Sequence, residues 1–166
     1  ASAEETLERL SGGELHGLVN NAGISPKGPG GSRLNSLTTD IDIWQSMYNT
    51  NFYAPLLLTR GFAGELSHGR GTVVNLTSIA GSRVHRFAGS AYATSKAALA
   101  ALTREMAFDL APLGVRVNAI APGEIDTAIL SPGTPEIVGR DIPMRRLGTI
   151  DEVADLIWFL CSTQAT

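Results

Sequence analysis

The segment Tyr92-Ala-Thr-Ser-Lys96 has the means to move a proton. Residues four apart share one face of a helix, so a helical segment makes the phenol and the ammonium neighbours. A phenol titrates ordinarily at about 10, and a nearby cation favours its ionised form. The pair therefore predicts a proton donor or acceptor working toward neutral pH, although the same two residues also suit a solvated surface pair. Ser78 ends a β-branched run fourteen residues before Tyr92. Its hydroxyl suits a substrate oxygen, yet taken alone it reads first as a turn serine. Asn51 reads as a helix-surface amide until Pro55 is considered. Proline has no N–H, so the carbonyl four residues earlier, that of Asn51, loses its helical partner.

These residues must be carried by regular elements. Residues 1–11 are mostly helix formers, stopped by Gly12-Gly13. Gly17–Asn20 reads as a short strand ending at Asn21-Ala22-Gly23, and residues 24–39 as an exposed loop rich in Gly, Pro and Ser. A helix follows from about Asp40, capped by Thr39 or Asp40. Its apolar positions are Ile43, Met47, Leu56, Leu57 and Phe62, and Pro55 lies inside it. Gly71–Ser78 is a strand, residues 79–89 a loop, and Ser90 to about Leu110 a long helix with many small residues, ended by Pro112 and Gly114. Val115–Ile120 is a third strand, stopped by Pro122-Gly123. Short helices fit residues 124–148. Thr149-x-x-Glu152 is a capping box that opens a last helix, with Val153, Leu156, Ile157 and Leu160 on its apolar side. Trp158 and Phe159 are expected to pack beside them, with Cys161 in the core.

Strands separated by long helices imply a parallel α/β sheet with ligands at the carboxyl ends of the strands. Asn21-Ala22-Gly23, Thr77-Ser78 and Pro122-Gly123 all fall at such ends. Composition agrees. Glycine is 18 of 166 residues and only 17% are charged, against about 7% and 25% in typical chains, as suits elements buried on both faces. A net charge of −3 argues against a nucleic-acid or anionic-membrane surface. No apolar run approaches the roughly 20 residues of a membrane span. One cysteine excludes an internal disulfide framework. With no secretory signal visible, the chain is expected to be cytoplasmic. No His/Asp/Glu cluster has metal spacing, so no metal is expected. His85, between Arg83 and Arg86, reads as part of an exposed loop in preference to a substrate contact, and Glu124, close to the third strand end, reaches a substrate only in the less favoured of its two readings.

Together these residues resemble the short-chain dehydrogenase/reductase family over nearly the whole chain. Asn20-Asn21-Ala22-Gly23 is similar to the motif after its fourth strand. Trp44 with Asn51 is similar to its long-helix signature, and Val74–Ser78 leads to its serine. Tyr92-x-x-x-Lys96 matches its Tyr/Lys pair, and Asn118-Ala-Ile-Ala-Pro122-Gly123-x-x-x-Thr127 its nicotinamide-flanking segment. Pro143-Met-Arg-Arg-Leu-Gly148 is similar to its substrate-side region. The resemblance implies a Rossmann-type doubly wound parallel sheet. It also implies hydride transfer between NAD or NADP and a small-molecule carbonyl or secondary alcohol, such as a 3-oxoacyl thioester, a sugar or a polyol.

In that reading Tyr92 is the general acid/base, and Lys96 binds the nicotinamide ribose and lowers the Tyr92 pKa. Ser78 holds the substrate oxygen, and the main-chain carbonyl of Asn51 holds a relay water. Asn21, Ala22, Gly23, Pro122, Gly123, Ile125 and Thr127 join Tyr92 and Lys96 in lining the cofactor site. A homodimer or homotetramer paired through the long helices is implied as well. In much of the family the serine precedes the tyrosine by thirteen residues, one fewer than here.

The family's N-terminal strand and glycine-rich pyrophosphate turn have no counterpart here. Gly28-Pro-Gly30-Gly31 follows no strand directly, and Pro29 removes a donor. A final strand is also missing. Residues 1–166 are therefore expected to be one partial domain of a longer chain, with Leu18–Asn20 as a bare sheet edge. Two other readings compete. One is a non-enzymatic fragment serving oligomerisation or binding. The other is a sugar-nucleotide epimerase or dehydratase, which shares Tyr-x-x-x-Lys but not the Asn-Ala-Gly pattern.

Overall fold

The computed structural model describes residues 12–131 and 133–165. The helix expected over residues 1–11 lies outside them. Gly12, expected to stop it, has φ +77°, a conformation that glycine adopts without steric penalty.

Among the described residues three strands form one parallel sheet in sequence order: β1 (Gly17–Asn20), β2 (Thr72–Leu76) and β3 (Arg116–Ile120). Asn20 pairs with Asn75 and Leu76 with Ile120, so the three carboxyl ends meet along one edge. β2 is buried throughout because it is the central strand. Successive strand residues point to opposite faces, and both faces are covered. Val73 and Val117 pack with Phe62, Leu66 and Met106 on one side. Val74, Leu76 and Ile120 pack with Val153, Ile157 and Leu160 on the other. This is the Rossmann-type, doubly wound α/β arrangement that the sequence predicts. β1 is an edge of the described sheet, as expected.

The helix expected over 40–62 is not continuous. It divides into α1 (Ile41–Tyr48), a π-helical turn (Asn49–Tyr53), α2 (Ala54–Gly61) and α3 (Ala63–His68). Pro55 supplies the reason. It has no N–H to give, and the chain widens one residue ahead of it, so that Ala54 N–H reaches the Asn49 carbonyl five residues back. Asp40 stands at the N-cap without a side-chain cap bond, while the Thr39 hydroxyl donates to the Asn35 carbonyl. Leu57 is 61% exposed, not part of the core. α4 (Ser90–Leu110) matches expectation and ends through Gly114 at φ +73°. α5 (Thr134–Arg140) and α6 (Ile150–Cys161) complete the chain. Among the described residues, no helix is long and apolar enough to cross a membrane.

α6 is held at both ends. The capping box is closed by Glu152 N–H to Thr149 Oγ1 at 3.2 Å and Thr149 N–H to Glu152 Oε2 at 2.8 Å. Arg116 donates to the carbonyls of Leu160, Ser162 and Ala165 at 2.9, 3.1 and 2.8 Å, which satisfies one orphaned carbonyl of the last turn and ties down the chain beyond it. Trp158, expected to pack, is 79% exposed, and Phe159 and Leu156 are also exposed. The inner stripe is Val153, Ile157 and Leu160, and its neighbours rotate away from the sheet.

Arg146 forks onto Glu152 with bonds of 2.9 and 2.6 Å, and this pair, followed by the Thr149 N–H, holds the carboxyl at about 2, down from its ordinary 4.5. A carboxyl depressed on folding contributes stability above its unfolded value and loses it as the pH falls through the folded one. Urea midpoints are therefore expected to decline between about 4.5 and about 2 through this group. The decline should be shallower in Glu152→Gln. Parallel curves for the two proteins would exclude the fork as a contributor.

Candidate active site

A cleft of about 230 Å³ opens at the carboxyl edge of the sheet. Its walls carry Asn21 and Gly23 from the end of β1, Ser78 from the end of β2, and Tyr92 and Lys96 from α4. Pro122, Gly123, Ile125 and Thr127 come from the segment after β3. Thus all but two of the residues singled out by sequence line one cleft. Ala22 is exposed between two lining residues. Asn51 lies behind the wall.

The ends of β2 and β3 are locked together by backbone bonds and one hydroxyl. Thr77 N–H and Oγ1 both donate to the Ile120 carbonyl, at 2.8 and 2.7 Å, and Ile79 N–H donates to the Pro122 carbonyl at 3.2 Å. Ser78 then caps a short 3-10 turn, Ile79–Gly81, its Oγ accepting Ala80 N–H at 3.2 Å. That turn packs directly on α4. A Cβ on Gly81 would come within 2.8 Å of Ala97 N and 2.9 Å of the Lys96 carbonyl carbon, so only glycine permits this approach. Fourteen residues apart in sequence, Ser78 and Tyr92 both line the cleft.

Lys96 is buried, and Nζ donates to the Leu76 carbonyl at 2.6 Å. It sits over the Tyr92 ring, 5.9 Å from the centroid. Burial pulls the ammonium down from 10.5 to about 8. Tyr92 moves the opposite way from expectation. Burial pushes the phenol above its ordinary 10, the neighbouring Ser78 hydroxyl pulls it down, and the Glu124 charge pushes it up again. Lys96 does not set the direction. In the described chain its ammonium faces the ring and a backbone carbonyl, and desolvation of the phenolate wins.

Asn51 is fully buried. Its side chain clamps the loop after β1: Oδ1 accepts Ile24 N–H at 2.9 Å, and Nδ2 donates to the Ile24 carbonyl at 3.0 Å and to Ser95 Oγ at 3.1 Å. The surface-amide reading is corrected. The π turn ahead of Pro55 brings this side chain inward. Gly23 fits against the result, since a Cβ there would lie 3.3 Å from Lys96 Nζ and 3.4 Å from Asn51 Oδ1. The bare backbone at Gly23 keeps this wall of the cleft open over the ammonium.

His85 is not exposed. Its Nε2 lies 2.6 Å from Glu124 Oε1, and the two side chains are only 14% and 12% exposed. Phe87 and Ala88 N–H both donate to His85 Nδ1, at 3.3 and 3.2 Å, which assigns the ring proton to Nε2. Lys27 was not singled out by sequence. Its Nζ donates to Ser25 Oγ and the Phe87 carbonyl, both at 3.1 Å. Burial lowers this ammonium, and the Glu124 charge partly restores it. One signal was available: Lys27 is one of only two lysines in the chain, and the other is Lys96.

The family model described as enoyl-(acyl carrier protein) reductase matches residues 1–166. Protein FixR of Bradyrhizobium diazoefficiens is 60% identical over 98% of this chain and 58% of its own length. An oxidoreductase of the short chain dehydrogenase/reductase family from Brucella ovis, in complex with a partially ordered NAD, is 55% identical. The match covers 98% of this chain and 66% of that one, with a TM-score of 0.81. A 3-oxoacyl-[acyl-carrier protein] reductase with bound NAD from Brucella melitensis is 31% identical, with 99% and 62% covered and a TM-score of 0.88. The chain thus spans about three-fifths of the length of such relatives, 58% in the first case.

Proposed function

The chain belongs to the short-chain dehydrogenase/reductase family, and from that premise we propose that it is the catalytic part of an NAD(P)-dependent oxidoreductase acting on a carbonyl or secondary alcohol. The observation that carries this is the convergence of Ser78, Tyr92 and Lys96 with the bare backbone at Gly23 on one cleft at the strand ends. The residues fit a nicotinamide nucleotide. Gly23 leaves a wall that a Cβ would fill, and the Lys96 ammonium lies directly beneath it. The cleft is smaller than the roughly 300–1,000 Å³ of complete ligand pockets, which suits the nicotinamide end and a substrate rather than a whole dinucleotide.

A nicotinamide held there supplies the two-electron acceptor or donor. Asn21, Ala22 and Gly23 hold it on one side. Pro122, Gly123, Ile125 and Thr127 hold it on the other, with Lys96 on its ribose. Ser78 holds the substrate oxygen, and Tyr92 takes the hydroxyl proton in oxidation or returns it in reduction. The Asn51 carbonyl, which Pro55 gives no donor, holds a relay water. The chain works in the cytoplasm as a homodimer or homotetramer. Reduction of NAD or NADP by the complete protein, assayed against secondary alcohols, polyols and hydroxyacyl thioesters, tests the reading. Saturable turnover with one class is expected, and no turnover with either nucleotide on any class would overturn it.

A further inference from the structure

We propose that Glu124, aimed by His85, is a substrate-binding residue that selects alcohols carrying a second hydroxyl group, the polyol and sugar class. The inference rests on the oxidoreductase reading above and names its substrate. Glu124 is fixed from both directions. Its backbone carbonyl accepts Gly148 N–H, and Asp126 N–H donates to the Gly148 carbonyl, both at 2.9 Å. Its carboxylate meets His85 Nε2–H at 2.6 Å, while the His85 ring is held by two backbone N–H groups. Among the described residues His85 alone bonds this carboxylate, through Oε1. Oε2 has no bonding partner among the described residues, and Glu124 lines the cleft that also holds Ser78 and Tyr92. Lys27 lines the same cleft. Two of its three N–H donors are used, by Ser25 and Phe87, and one remains.

The ligand must therefore suit a fixed acceptor and a fixed donor together. A hydroxyl group donates to the first and accepts from the second. An acyl chain does neither, and seating one against this largely buried carboxylate would strip the charge of its remaining water with no bond in return. An anionic substrate meets repulsion from Glu124. A cationic amine meets it from Lys27, and because the two opposite charges line one cleft neither sign of ligand gains the net attraction that a single charge would give. A neutral, hydroxyl-rich carbon chain fits all of these conditions, with one hydroxyl at Tyr92 and another at Glu124.

The test compares kcat/KM of the complete protein for a five-carbon polyol, the matching five-carbon secondary mono-alcohol and a hydroxyacyl thioester. The polyol is expected to exceed both by about tenfold or more. A hydrogen bond to a charged group is worth roughly 10- to 100-fold in discrimination, so Glu124→Leu should cut the polyol-to-mono-alcohol ratio by about that factor. Glu124→Gln keeps the shape and one acceptor oxygen, and should cut the ratio about threefold; it carries the test if the leucine variant fails to fold. A wild-type ratio near one would overturn the inference. So would a preference for the thioester, or variants in which both rates fall together, which is what a mere pin between loops would give. If the mono-alcohol or thioester is turned over in a Tyr92-dependent way and the polyol is not, only this inference fails. If nothing is turned over, the oxidoreductase reading fails with it.

Discussion

Tyr92→Phe is expected to lower kcat of the complete protein by about 10²–10⁴-fold, the range that a positioned general acid or base contributes. The substitution removes one oxygen and keeps the ring, so packing against Lys96 survives and thermal stability should change little. The loss should appear in kcat rather than in KM, because a proton is transferred only as the reaction proceeds. The position of Tyr92 explains why the effect should be large. It stands in the first turn of α4, in the cleft beside Ser78 and above the buried Lys96. In the described chain burial keeps the phenol protonated well past neutral pH, the form needed to give a proton to a carbonyl. Lys96, held at about 8, loses its charge as the pH rises through that value, so nucleotide affinity should weaken on the alkaline side. Rates of Tyr92→Phe within threefold of the wild type would remove Tyr92 from the reaction.

Asn51→Ala is expected to destabilise the chain by about 2–4 kcal/mol. The side chain serves both the N–H and the carbonyl of Ile24 and also reaches Ser95. Each buried polar group left without a partner costs roughly 1–3 kcal/mol. A change of that size lowers the melting temperature of a chain of this length by roughly 5–15 °C. Function should suffer separately, because Ile24 follows Gly23, whose backbone forms the wall over Lys96. Releasing Ile24 lets that wall move, so KM for the nucleotide should rise along with any fall in kcat. Asn51→Asp keeps the acceptor for Ile24 N–H but sets an oxygen against the Ile24 carbonyl, and should lie between alanine and the wild type. Melting curves and nucleotide KM for the three proteins check this. An alanine variant as stable as the wild type would show that the loop finds other partners.

Both predictions concern residues visible in the sequence, but for different reasons. Tyr92 and Lys96 share one helix, and a spacing of four fixes their proximity wherever α4 lies. The capping box at Thr149 and Glu152 is equally local, and it forms as read. The strand ends are legible too, because β-branched runs stop at Asn-Ala-Gly, Thr-Ser and Pro-Gly, and a parallel sheet brings such ends to one edge. Pro55 announces a disturbance near Asn51, since a missing N–H cannot be supplied by any fold.

What the tertiary structure alone decided lies in pairs far apart along the chain. The disturbance at Pro55 became a π turn that directs Asn51 onto Ile24, twenty-seven residues away. By sequence His85 belongs to a loop with Arg83 and Arg86 and Glu124 to the end of the third strand, with nothing to pair them. Only the packing of the two loops at the cleft makes them partners at 2.6 Å and sets both side chains on its wall. The direction of the Tyr92 shift was illegible for a related reason. Spacing shows that a lysine is near, but the outcome depends on how much water the phenol loses and on where the ammonium points. Short-range covalent geometry settles which residues are neighbours on a helix, while burial and the meeting of distant loops settle the charges they carry and what they hold.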